Sequence, residues 1–80
     1  MDNISLLRKC FIEVLGIKPD ILNDDYSYGT DGWDSVAHMA LITAIESEFE
    51  IMIETEDVLD VSSFKIAKKT LLKYGVCLDA

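Results

Sequence analysis

The sequence predicts a small all-α fold, a four-helix bundle of three main helices and one short one, with a long loop between the first helix and the second. Three observations carry this. Apolar residues recur at three- and four-residue spacing in three separate segments. Capping residues and glycines stand at the ends of those segments. The chain has 80 residues and no motif that would staple it. A core of that size is marginal, and helices hold it economically because they satisfy their own backbone groups.

The first segment is NISLLRKCFIEVLG, with Ile4, Leu7, Phe11 and Val14 on one helical face. Asp2 or Asn3 can cap it, and Gly16 stops it with Pro19 just beyond. From Ile17 to Asp34 the periodicity disappears. This stretch holds the single proline, two of the four glycines and five aspartates. It is long for a connection within a compact domain, and such loops are usually functional. Ile21, Leu22, Tyr26 and Tyr28 are expected to pin it to the core, and Trp33 to anchor it on the bundle.

The second helix is expected to begin at Ser35. Val36, Met39, Ile42, Ile45 and Phe49 share one side, widened by Leu41, while Ala40 and Ala44 keep the neighbouring surface small. Glu54, Thr55, Glu56 and Asp57 precede Val58 and Leu59, a short helical turn with acids near its positive end. Ser62 or Ser63 then caps a last helix whose apolar line is Phe64, Ala67, Leu71 and Tyr74. Gly75 ends it, and Lys68, Lys69 and Lys73 lie toward its negative end. No repeat, low-complexity run or internal boundary divides residues 1–80, which read as one domain.

Charge narrows the function classes. Seven Lys and Arg stand against fifteen Asp and Glu, a formal charge of -8. That disfavours nucleic acid and anionic membrane surfaces and favours partners that carry Lys and Arg. Cys10 and Cys77 have no CxxC spacing, so a zinc site is not expected; Cys10 lies within an apolar pattern and is read as core. Met1-Asp2-Asn3 has neither a basic start nor an apolar run, and no stretch approaches membrane-spanning length. The expectation is a soluble cytoplasmic monomer with reduced thiols.

The chemistry concentrates in GTDGWDSVAHM, residues 29–39. Asp34 alone can cap the second helix, which leaves Ser35 exposed in its first turn. The first turn of a helix offers free N–H groups and a partial positive charge, a setting that suits a phosphate. A separate enzyme can modify such a serine where the loop is accessible; Gly29 and Gly32 ease that access, and Asp34 can help hold a metal ion on the modifying enzyme.

At these residues the sequence resembles a known family. Gly32-Trp33-Asp34-Ser35-Val36 is similar to the Asp-Ser-Leu attachment motif of acyl carrier proteins, with Val in place of Leu. The motif follows a long loop after a first helix and opens a second helix ending in Ile45-Glu46-Ser47-Glu48-Phe49, much like the family's Leu-Glu-Glu-Glu-Phe. Ile51-Met52-Ile53, the acidic short-helix segment and the capped last helix follow in order, so the resemblance spans nearly the whole chain. It implies 4'-phosphopantetheine, derived from coenzyme A, on Ser35, with Asp34 as the flanking motif residue. It implies a phosphopantetheinyl transferase and acyl-loading and acyl-processing enzymes as partners. It implies a carrier that catalyses nothing itself. Val36 and Met39 would give an apolar docking face, and Glu46, Glu48, Glu56 and Asp57, otherwise a solvated face, would meet basic patches of partners. Ala37, His38, Met39 and Ala40, Glu54 in place of a proline, and Trp33 before Asp-Ser depart from the main fatty-acid carriers. They point to a stand-alone carrier of a specialised pathway.

Other classes fit less well. A serine hydrolase would need a GxSxG elbow, but Val36 and Ala37 follow Ser35, and His38 has no third group to orient it. His38 is read as a surface residue near the arm. Asp20, Asp24, Asp25, Asp31 and Asp34 crowd the loop and raise a calcium-binding reading, yet from Asn23, Asp24 or Asp25 the EF-hand pattern fails. A peptidyl or aminoacyl carrier, and an unmodified helix-in-groove adaptor that uses Val36 and Met39, remain as alternatives. Met39 is equally compatible with core.

Overall fold

A computed structural model describes residues 2–30 and 32–78. Four α-helices run in the order α1 (Asn3–Leu15), α2 (Ser35–Phe49), α3 (Thr55–Asp60) and α4 (Phe64–Lys73). A 3-10 turn at Pro19–Ile21 interrupts the long loop. None of the described helices is long and apolar enough to cross a membrane. The all-α bundle expected from periodicity is the fold found.

Each main helix is capped by the chemistry its sequence offers. The Asp2 carboxylate accepts from the Ser5 N–H, and Gly16 closes α1 at a φ of 65°, in the left-handed region that glycine enters without penalty. Asp34 accepts from the Ala37 N–H at the start of α2, and the Ser63 hydroxyl accepts from the Ile66 N–H at the start of α4.

The core runs between α1, α2 and α4 and is built around aromatic rings. Phe11 sits edge-on to Trp33 at 5.3 Å and to Phe64 at 5.1 Å. Tyr26 stacks on Trp33 at 5.6 Å. Leu7, Leu41, Ile42, Ile45, Ala67 and Leu71 fill the space around them. Cys10 is buried, as its place in the apolar pattern suggested. Ile4, Val14, Phe49 and Tyr74, expected on the core faces, are only half-buried at its edge.

The α2 stripe differs from its expected line. Its buried face is His38, Leu41, Ile42 and Ile45, whereas Val36 is 79% and Met39 54% exposed. At about 100° per residue, Val36 lies nearly opposite His38. A polar residue therefore opens the buried stripe, and apolar spacing alone placed Val36 and Met39 on the wrong side.

The loop is ordered, though not by all the side chains expected to pin it. Leu22, Tyr26 and Trp33 are buried, and so is Ile17; Ile21 and Tyr28 are exposed. Much of the fastening is polar. Arg8 donates to the carbonyls of Leu22 at 2.8 Å and Pro19 at 3.1 Å. The Tyr28 N–H donates to Ser62 O, and the Phe64 N–H to Tyr26 O, both at 2.9 Å. These bonds pair the loop with the start of α4 around a bridge between Ser27 and Ser63. The loop thus arrives at α2 at a fixed height and angle.

Candidate functional site

Ser35 is the first residue of α2 and is exposed. Two local devices set its place. Trp33, 1% exposed, buries its side chain in the core and anchors the end of the loop there. Gly32, at a φ of 87°, brings the chain so close to α1 that a Cβ there would stand 3.3 Å from Leu15 O. The turn is closed by the Trp33 N–H on Thr30 O and the Gly29 N–H on Trp33 O. Asp34 takes up the Ala37 N–H at 2.8 Å, and its carbonyl accepts the His38 N–H at 2.8 Å. The N–H groups of Ser35 and Val36 and the Ser35 hydroxyl have no hydrogen bond among the described residues. An exposed hydroxyl beside unengaged N–H groups at the positive end of a fifteen-residue helix fits a phosphodiester, whose charge that end favours.

His38 is the clearest correction. It is not at the surface but 9% exposed. Its Nδ1 accepts from Trp33 Nε1 at 3.0 Å, and its Nε2 lies 2.8 Å from Val58 O. An indole N–H only donates, so Nδ1 must accept and Nε2 must carry the proton given to Val58 O. One ring therefore ties the loop, α2 and α3 together just below Ser35. That employment as a structural bridge leaves it no part as the base of a hydrolase.

The acids divide in a way sequence did not reveal. Glu48 and Glu56 are exposed, as a solvated face requires. Asp57 is not on that face. It is 8% exposed, with Lys73 Nζ at 2.9 and 3.0 Å from its two oxygens and Tyr74 Oη at 2.5 Å. The Tyr74 hydroxyl, then the Lys73 ammonium, hold its carboxyl below the ordinary 3.8, and the carboxylate in turn raises both partners. Glu46 is half-buried and accepts from the Ile53 N–H at 2.9 Å, which staples the end of α2 to the segment before α3. Both acids hold the fold. The loop acids Asp20, Asp24, Asp25 and Asp34 are exposed, with Asp24 paired to Lys68; Asp31 lies outside the described residues.

A groove of about 350 Å³ opens beside Ser35, between the start of α2 and α3. Tyr28, Met39, Leu59 and Val61 form its sides, and His38 reaches it from below. Leu59 is 76% exposed, so this side of the molecule carries large apolar groups in contact with water.

Ser35 thus stands exposed at a helix start in a small helical bundle, on a loop fastened from both sides. The family model for the phosphopantetheine attachment site matches residues 5–65, more than half of the chain, and the chain belongs to that family. Its members carry the 4'-phosphopantetheine prosthetic group. Among similar proteins is the non-reducing polyketide synthase stbA of Stachybotrys bisbyi, 38% identical over 56 residues, which are 70% of this chain. The chain spans about 2% of that protein's length.

Proposed function

We propose that the chain is an acyl carrier with its 4'-phosphopantetheine on Ser35. The observation that carries this is the state of Ser35: exposed, without a hydrogen-bond partner among the described residues, and held in the first turn of a helix whose cap is supplied by a different residue, Asp34. In the modification, the Ser35 Oγ–P bond forms as the pyrophosphate bond of coenzyme A breaks. 3',5'-ADP leaves, and the serine proton passes to a base on the transferase. When bound, the group supplies a thiol that holds an acyl chain as a thioester.

The likeness to a polyketide synthase supports an acyl cargo over an aminoacyl one. Partners would meet α2 at its outer face, where Val36 and Met39 are exposed beside Ser35, with Glu48 and Glu56 adding charge. A net charge of -8 favours fast, salt-sensitive docking to basic patches, and a tethered substrate gains effective concentration at each docked enzyme.

Intact mass after incubation with coenzyme A, magnesium and a broad-specificity phosphopantetheinyl transferase tests the assignment. The parent should gain one phosphopantetheine and Ser35→Ala none. Gain in the variant would move the site elsewhere. No gain in a folded parent would favour the unmodified adaptor.

A further inference from the structure

The cations of this chain are segregated from its acids. Residues 19–64 hold twelve of the fifteen Asp and Glu and no Lys or Arg. The seven Lys and Arg therefore fall on α1, at Lys18 just after it, and on α4. Helix α4 carries four lysines and no acid, a basic helix in a chain of net charge -8.

Folding does not account for this placement. Lys73 binds Asp57, and Lys68 pairs with Asp24. Lys65 and Lys69 are exposed and have no ion pair among the described residues. Lys65 is the second residue of α4, at the positive end of the helix, where a cation is disfavoured. It also stands four residues before Lys69, and like charges at that spacing repel. Sequences break local rules of this kind chiefly at functional sites.

The lysines border an apolar groove. Lys65, Lys68, Lys69 and Leu72 recur at helical spacing on one side of α4. With Ile4 and Leu78 they line a groove of about 460 Å³. Leu72 is 55% exposed there. Asp24 on the rim engages Lys68 and leaves Lys65 and Lys69 to a ligand. This groove shares no lining residue with the one beside Ser35.

A row of ammonium groups beside an apolar strip fits a segment with carboxylates along one edge and apolar side chains along the next. Anionic vesicles would meet the repulsion of the whole chain. A second copy brings the same repulsion. We propose that α4 docks an acidic amphipathic segment of a partner protein, with Lys65 and Lys69 holding its carboxylates and Ile4, Leu72 and Leu78 its apolar side. The docking needs no modification of Ser35, so it stands or falls apart from the carrier reading.

The test adds a synthetic amphipathic helix of Leu, Ala and Glu, with Glu along one edge, to the unmodified chain and follows backbone amides by NMR. The peptide should shift the amides of Lys65, Lys69, Leu72 and Ile4 and leave those of Val36 and Met39 still. The same peptide with Gln for Glu should bind about tenfold more weakly. Lys65→Glu/Lys69→Glu should weaken the acidic peptide about tenfold, while Lys9→Glu/Lys18→Glu, an equal charge change outside the groove, should stay within about twofold. The α4 variant should melt no lower than the parent, since an acid at position 65 suits the positive end of the helix; lost binding is then not lost folding. Equal affinity for the two peptides, undiminished binding by the α4 variant, or shifts centred on α2 would overturn the proposal. So would α4 shifts that phosphatidylserine vesicles produce and the peptide does not, which would assign the face to a membrane. Shifts at α4 and α2 that grow with protein concentration alone would assign it to a second copy and overturn the proposal as well.

Discussion

The indole N–H of Trp33 donates to Nδ1 of His38 at 3.0 Å, and this bond sets which nitrogen of His38 faces α3. The two residues lie five apart, one in the loop and one on α2. They convert the position of the loop into the position of α3, because Nε2 holds Val58 O. His38→Phe keeps a ring but offers neither acceptor nor donor. It leaves two buried polar groups unpaired, at about 1–3 kcal/mol each. Urea denaturation should show a loss of more than about 2 kcal/mol, with Trp33→Phe/His38→Phe losing less than the sum of the single changes. A loss within about 0.5 kcal/mol, ordinary for a surface change, would show that the bridge does not hold α3.

Ser35 and its neighbour Asp34 separate function from folding. Ser35→Ala removes an exposed hydroxyl with no partner among the described residues, so stability should stay within about 0.5 kcal/mol while loading is abolished. Asp34→Ala removes the acceptor of the Ala37 N–H and should cost about 1 kcal/mol, with Ser35 still present. Melting curves and intact mass on the same samples check both. A Ser35→Ala protein that melts far below the parent would give the hydroxyl a structural role.

Much of this fold is legible in the sequence because it rests on spacing and caps. Asp34 and Gly16 act where residue type alone places them, and of the two serines offered for the last helix Ser63 is the cap. What sequence misplaced has a common physical cause: polar groups that pair across long separations. His38 reads as a surface residue until Val58 O, twenty positions on, is brought against it. Asp57 reads as one acid in a solvated run until Lys73 and Tyr74 arrive from the end of α4. Glu46 meets Ile53 N–H only after the chain turns at Glu50, at a φ of 55°. Apolar periodicity carries no information on such pairings; it also grouped Val36 and Met39 with the buried residues of α2, whereas the family resemblance gave both an exposed place, which is where they stand.

Cys10 gives a chemical check on the core. Burial, then the nearby charges of Glu48 and Glu13, push its thiol up to about 11. Only the thiolate reacts, so Cys10 should resist a thiol reagent near pH 8 in the folded protein. In a Cys77→Ser variant, labelling should be negligible under native conditions and complete in strong denaturant. Rapid native labelling would place Cys10 at the surface and break the expected packing of α1.

The Asp57 cluster sets how stability responds to pH. Its carboxyl is held below 3.8 in the folded chain, chiefly by the Tyr74 hydroxyl and then by Lys73. A depressed carboxylate stabilises the fold at pH above its unfolded value, and that contribution is lost as pH falls through the folded one. Lys73 is raised above 10.5 and Tyr74 above 10.0. Their contribution is present below those values and lost as pH rises through the higher folded ones. Melting temperature should therefore fall on both sides of a broad plateau, from below about pH 4 and from above about pH 10. Asp57→Asn should melt lower than the parent on the plateau, and the gap should close toward pH 3, where the parent carboxylate is itself being protonated. Differential scanning fluorimetry across that range checks the sign. A gap that stays constant from neutral pH down to pH 3 would assign the loss to packing and not to the ion pair.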